Sequence, residues 1–140
     1  MQTADCAEKL IEAALQARKS AYAPYSHYTV GAALLAADGR IYSGCNVENS
    51  SYGASNCAER TAIFKAVSEG QQSFYAIAIV GGMEGQAPVD YANPCGICRQ
   101  VMQEFCTADF RIYVGRSKED YREYTLGEIM PFGFGGDSIR

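Results

Sequence analysis

Two short stretches hold residue types that could do chemistry together: Cys57-Ala58-Glu59-Arg60 and Pro94-Cys95-Gly96-Ile97-Cys98-Arg99. Taken alone, the Cys-x-x-Cys pair fits a redox couple, half of a structural zinc knuckle, or two core thiols. A structural zinc site would want a fourth Cys or His, and the only histidine, His27, lies far away in a loop. Spacing narrows the choice. In a helix beginning near Gly96, Cys95, Cys98, Met102 and Phe105 fall at i, i+3, i+7 and i+10, so both thiols open one buried face. In a helix beginning at Ala58, the residues Glu59, Ala62, Ile63 and Ala66 share a face, which puts a carboxylate on an apolar stripe. Burying an ionised carboxylate costs several kcal/mol unless something compensates it.

Cys57 immediately precedes the second of these helices, so two helix N-termini can each present thiols inward. Helix N-termini and cations favour thiolates, and Arg60 and Arg99 adjoin Glu59 and Cys98. Three thiolates on Zn²⁺ leave one tetrahedral position open, which marks a catalytic site rather than a structural one. They also leave the centre with an excess negative charge, which helix dipoles and the arginines would draw off.

The elements that must position these groups follow from periodicity. Residues 4–19 read as a helix with Ala7, Leu10, Ile11, Ala14 and Leu15 at helical spacing. Two apolar runs, 28–35 and 40–47, flank Asp38-Gly39 and predict a hairpin. Helices are expected over 58–69, ended by Gly70, and over 96–106, with strands over 74–80, 110–114 and, at an edge, 121–126. Gly81-Gly82 is expected to bound the strand before it, and a helical turn falls near 128–130. This order implies a mixed sheet with helices on its faces.

The chain of 140 residues is expected to be a single domain, 1–140, with no repeat or linker to divide it. Its 48% hydrophobic and 20% charged residues are the balance of a globular protein. A net charge of −4 with scattered Lys and Arg offers no basic track for a nucleic-acid polymer. The N-terminal stretch carries charges throughout, unlike a signal peptide, and no apolar run approaches a membrane span. The cytoplasm is the expected compartment, where six cysteines stay reduced. Cys6, Cys45 and Cys106 read as small buried or boundary side chains.

The pairing of Cys-Ala-Glu with Pro-Cys-x-x-Cys resembles the cytidine deaminase family. The likeness extends through Tyr22-Ala-Pro-Tyr-Ser26, Val30-Gly-Ala-Ala-Leu34, Gly44-Cys-Asn-Val-Glu-Asn49, Cys57-Ala-Glu-Arg-Thr-Ala62, Lys65-Ala-Val-Ser-Glu-Gly70 and Pro94-Cys-Gly-Ile-Cys-Arg-Gln100. The resemblance implies an α/β three-layer α-β-α sandwich around a mixed, roughly five-stranded sheet. It implies one zinc per subunit on Cys57, Cys95 and Cys98, and Glu59 as the proton shuttle of a hydrolytic deamination of cytidine and deoxycytidine in pyrimidine salvage. Arg60 would tune the charge of the thiolates.

By the same resemblance, Asn46 and Glu48, two apart at a strand end and so on one face, bind a ribose hydroxyl. Tyr28 stands where the family usually has a stacking Phe, and Ala58 contacts the pyrimidine edge. The length resembles the short, homotetrameric branch, in which Ser50, Tyr52 and Phe134 would complete a neighbour's pocket. Ser50 stands where Ala is common, and Phe134 could equally pack on its own domain. Two rivals remain at this stage: a deaminase of a related cytosine compound, such as a nucleoside antibiotic, and a non-catalytic zinc or redox module.

Overall fold

The computed structural model describes residues 3–139. In chain order the elements are α1 (Thr3–Ala17), β1 (Tyr28–Ala36), β2 (Ile41–Cys45), α2 (Ala58–Ser68), β3 (Phe74–Met83), α3 (Gly96–Phe105), β4 (Arg111–Ser117), β5 (Asp120–Thr125) and α4 (Leu126–Ile129). The five strands form one mixed sheet in the order β2-β1-β3-β4-β5. β1 runs antiparallel to both of its neighbours, β3 and β4 are parallel, and β5 closes the far edge antiparallel to β4.

Strand direction decides where the site can be. Because β2 and β3 each run against β1, they run the same way, and their carboxyl ends lie at one edge of the sheet. The chain leaves each of them for a helix, α2 or α3, so both helix N-termini come to that edge. Tyr28, at the start of β1, pairs with Met83 at the end of β3 and belongs to the same edge.

Alternation along the strands sorts the core into two layers. Ala33, Ala76, Ala78, Val80 and Tyr113 face α1, which covers them with Ala7, Leu10, Ile11 and Ala14. Ala32, Leu34, Ile77, Ile79, Ile112 and Val114 face the opposite way, against Ala62, Ile63 and Ala66 of α2, Met102 of α3 and Leu126 of α4. Helices therefore cover both faces, as the sandwich expectation has it. Two glycines allow the close approach. A methyl group at Gly31 would stand 1.9 Å from the carbonyl oxygen of Ala14, and one at Gly44 would stand 2.5 Å from the amide nitrogen of Ala62.

Two boundaries differ from the sequence expectation. Helix α1 tightens into a 3-10 turn over Arg18–Ser20 rather than continuing to Lys19 as α-helix. Strand β3 does not stop at Gly81-Gly82 but runs through them to Met83, paired with the first residues of β1. The reason is packing: a methyl group at Gly81 would meet the Tyr28 ring and Ala92 at 2.9 Å. These glycines serve close approach rather than a turn. Among the described residues, no helix is long and apolar enough to cross a membrane.

Gly31→Ala is expected to lower unfolding free energy by about 2–3 kcal/mol, because backbone rather than a flexible side chain blocks the methyl. Gly53→Ala, with nothing within 4 Å, serves as the neutral control. Urea unfolding followed by circular dichroism measures both.

Candidate active site

Cys57 and Cys95 are the N-cap residues of α2 and α3, each with extended backbone before its helix turns in. The third thiol, Cys98, lies in the first turn of α3 and is fully buried. The sulfurs of Cys57, Cys95 and Cys98 lie within 4.8 Å of one another, with Cys57 and Cys95 3.9 Å apart. Cys98 donates its amide N–H to the Cys95 sulfur at 3.4 Å, and Arg60 Nη2 donates to the Cys57 sulfur at 3.2 Å. The Cys98 thiol and then the Arg60 guanidinium, set against burial, hold Cys57 well below the ordinary thiol range. Cys98 moves the opposite way, because it shares its proton with Cys57 and is itself desolvated.

The donor set fits a soft divalent metal. Three sulfurs converge from two helix N-termini, one is already stabilised as thiolate, and a cation stands beside them. A metal would replace the proton that Cys57 and Cys98 share. The chemistry such a set favours is that of zinc, with one coordination position left over.

Glu59 is the second residue of α2 and only 4% exposed. Burial, reinforced by the charge at Cys57, pushes its carboxyl up to about 7. The carboxyl group is thus placed in the first turn of a helix, beside the sulfurs, where it can hold or release a proton near neutral pH.

Cys57, Glu59 and Cys95 open onto a cleft of about 590 Å³. Tyr28, Asn46, Glu48, Tyr52, Ala58 and Arg60 line it along with Cys57, Glu59 and Cys95, and Asn56, Ala92, Asn93 and Ile97 complete the wall. Asn46 is braced against β1: its Oδ1 accepts the Val30 N–H and its Nδ2 donates to the Tyr28 carbonyl, both at 2.8 Å. Glu48 accepts from the backbone N–H groups of Tyr25 and Ser26 and from the Ser26 hydroxyl. The ring of Tyr52 is 78% exposed and meets Tyr25 edge-on, with centroids 6.2 Å apart.

Ser50 and Phe134 do not line this cleft. Phe134 is held by its carbonyl, which accepts from Gln100 Nε2 at 2.7 Å, while the residue stays 58% exposed. Two sequence expectations are corrected. Cys95 is exposed and faces the cleft, since as a cap residue it precedes the helical face that Cys98 and Met102 bury. Arg99 does not serve the sulfurs: its guanidinium donates to the carbonyls of Pro94 and Ile129, both at 2.9 Å, and ties the start of α3 to α4. Asn56, Ala92 and Asn93 went unread as lining residues because they are loop positions flanking the cysteine motifs. Adjacency to those motifs was the one signal that could have found them.

Fold and site together define an α/β protein with three thiols, able to hold a metal ion, gathered at the carboxyl ends of two strands. The family described as the cytidine and deoxycytidylate deaminase zinc-binding region matches residues 4–114, and the chain belongs to it. A cytidine deaminase of Sporosarcina psychrophila is 52% identical over 132 residues, covering 94% of this chain and 93% of the relative. One from Halalkalibacterium halodurans is 48% identical over 132 residues, covering 94% and 96%. The crystal structure of cytidine deaminase from Burkholderia pseudomallei superposes with a TM-score of 0.83 at 44% identity, covering 96% of this chain and 100% of that one.

Arg60→Gln leaves the sulfur charge uncompensated on that side. Metal affinity is expected to fall by about 10–100-fold, as for other residues that support a ligand. Competition with a chromophoric chelator measures it.

Proposed function

We propose that the chain catalyses hydrolytic deamination of cytidine and deoxycytidine to uridine and deoxyuridine, releasing ammonia. The observation that carries this reading is the buried carboxyl of Glu59 beside three convergent thiols, two of which open onto a nucleoside-sized cleft. The names of its relatives point the same way. A zinc ion, one per subunit on Cys57, Cys95 and Cys98, would supply Lewis acidity that makes water a nucleophile at neutral pH.

Glu59 takes the proton that water gives up as its oxygen bonds to C4 of the pyrimidine. The same carboxyl delivers that proton to N3, then takes the second from the new C4 hydroxyl and carries it to the departing amine. Water is consumed, the C4–N bond breaks, and ammonia leaves. Exclusion of solvent around Glu59 keeps those protons from exchanging elsewhere. Tyr28 gives the base a ring to stack on, and main-chain groups near Ala58 and Cys95 meet its edge. Asn46 and Glu48 take the sugar.

Ser50, Tyr52 and Phe134 are assigned to a neighbour's pocket within a homotetramer. The exposed rings of Tyr52 and Phe134 support that role, since large apolar surface left to water marks contact sites. The reading extends to pyrimidine salvage in the cytoplasm, where the six thiols remain free.

Glu59→Gln is expected to keep the fold and the metal and to lower turnover by at least about 10²–10⁴-fold. Ammonia release from cytidine, deoxycytidine, cytidine monophosphate and blasticidin checks both the catalyst and the substrate class. A zinc-loaded protein that turns over neither nucleoside would sink the reading. Light scattering on the active enzyme is expected to give four chains per particle, and an active monomer would contradict that assembly.

A further inference from the structure

Ser26 lies in the turn between α1 and β1, and its hydroxyl joins two parts of the cleft. It donates to Glu48 Oε2 at 2.5 Å and accepts the Tyr28 N–H at 3.0 Å. The backbone N–H groups of Ser26 and Tyr25 donate to the other carboxylate oxygen, Glu48 Oε1, at 3.1 and 3.0 Å. A serine hydroxyl carries one proton, so committing it to Glu48 leaves its lone pairs for Tyr28. On the far side of Tyr28, the carbonyl is taken by Asn46 Nδ2. Glu48, Ser26, Tyr28 and Asn46 therefore form one continuous hydrogen-bonded chain.

The turn is shaped for this contact. His27, between Ser26 and Tyr28, has a φ of 58°, a left-handed conformation uncommon for a residue with a side chain. Two successive N–H groups and one O–H converge on the carboxylate ahead of that twist, and the twist turns the chain so that the Tyr28 N–H reaches back to the Ser26 hydroxyl. An ionised carboxylate offers about four acceptor positions, and the three donors from Tyr25 and Ser26 leave about one of them open. The Ser26 hydroxyl, followed by the backbone donors, holds Glu48 below the usual carboxylate range. Glu48 is thus an acceptor only, waiting for a ligand group that donates.

We propose that Ser26 is a positioning and specificity-determining residue, which aims Glu48 at a single sugar hydroxyl and ties that contact to the Tyr28 platform. The inference rests on the proposed role of Glu48 at the sugar. Its signature is selectivity: losing Ser26 harms a substrate that has the hydroxyl more than one that lacks it.

The test compares cytidine with 2′,3′-dideoxycytidine on the zinc-loaded enzyme. Ser26→Ala is expected to raise KM for cytidine about tenfold, the worth of one lost hydrogen bond to a charged group. For kcat, and for KM with the dideoxy substrate, changes within about twofold are expected, since neither depends on that bond. Ser26→Thr, which restores a hydroxyl, is expected to recover the KM for cytidine. If Ser26→Ala does not fold, Ser26→Cys, with its weaker donor, carries the same comparison.

Equal losses with both substrates, a loss carried by kcat, an unchanged KM for cytidine, or no recovery with Thr would each overturn the assignment. Glu48→Gln separates the two layers of the argument. If it leaves KM for cytidine unchanged, the sugar role of Glu48 falls and Ser26 falls with it. If it raises KM while Ser26→Ala does not, only the positioning role is lost.

Discussion

The direction of β1 is the constraint on which the site depends. Were either neighbour parallel to it, the carboxyl ends of β2 and β3 would lie at opposite edges, and their helices would begin on opposite sides of the molecule. With both antiparallel, α2 and α3 start side by side, each bringing unpaired N–H groups and a partial positive charge. Sulfurs that would repel one another as thiolates can then gather there, with Arg60 adding a full charge to the partial ones. Glu59, two residues past the Cys57 cap in the first turn of α2, is buried in the same region.

The two faces of the sheet do different work. Alanines dominate the face under α1, and Gly31 lets that helix lie almost on the backbone of β1. Larger side chains fill the other face, where Ile63, Ile77, Ile79 and Ile112 set the distance at which α2 and α3 ride. A thin, tightly packed layer on one side thus backs a thicker one that carries the ligands. Since interiors at this packing density transmit strain rather than absorb it, the sulfurs and the carboxyl are held by the core and not by loops alone.

Much of this could be read from residue order. Period-3.6 spacing locates α1, α2 and α3, and apolar runs bounded by turn signals locate the strands, because tertiary packing here agrees with local preference. The cysteine motifs were legible for the same reason: both sit at helix starts, where spacing determines direction. Cys95 was misjudged because a cap residue has left the helical path and does not share the face that spacing assigns it. Gly81-Gly82 was taken for an ending, since a sequence does not display the ring of Tyr28 lying against the strand. Ser26 shows no role in the sequence itself. Its partner Glu48 is distant in sequence, and only folding brings the two within 2.5 Å.

The polar contacts that anchor position 28 are all main-chain: its N–H goes to Ser26 and its carbonyl to Asn46. The ring takes no part in them. The backbone at this position is thereby held without help from the ring, whose own constraint is steric, since it lies against Gly81. At that point the cleft wall has two parts, a backbone fixed by hydrogen bonds and a ring placed by packing.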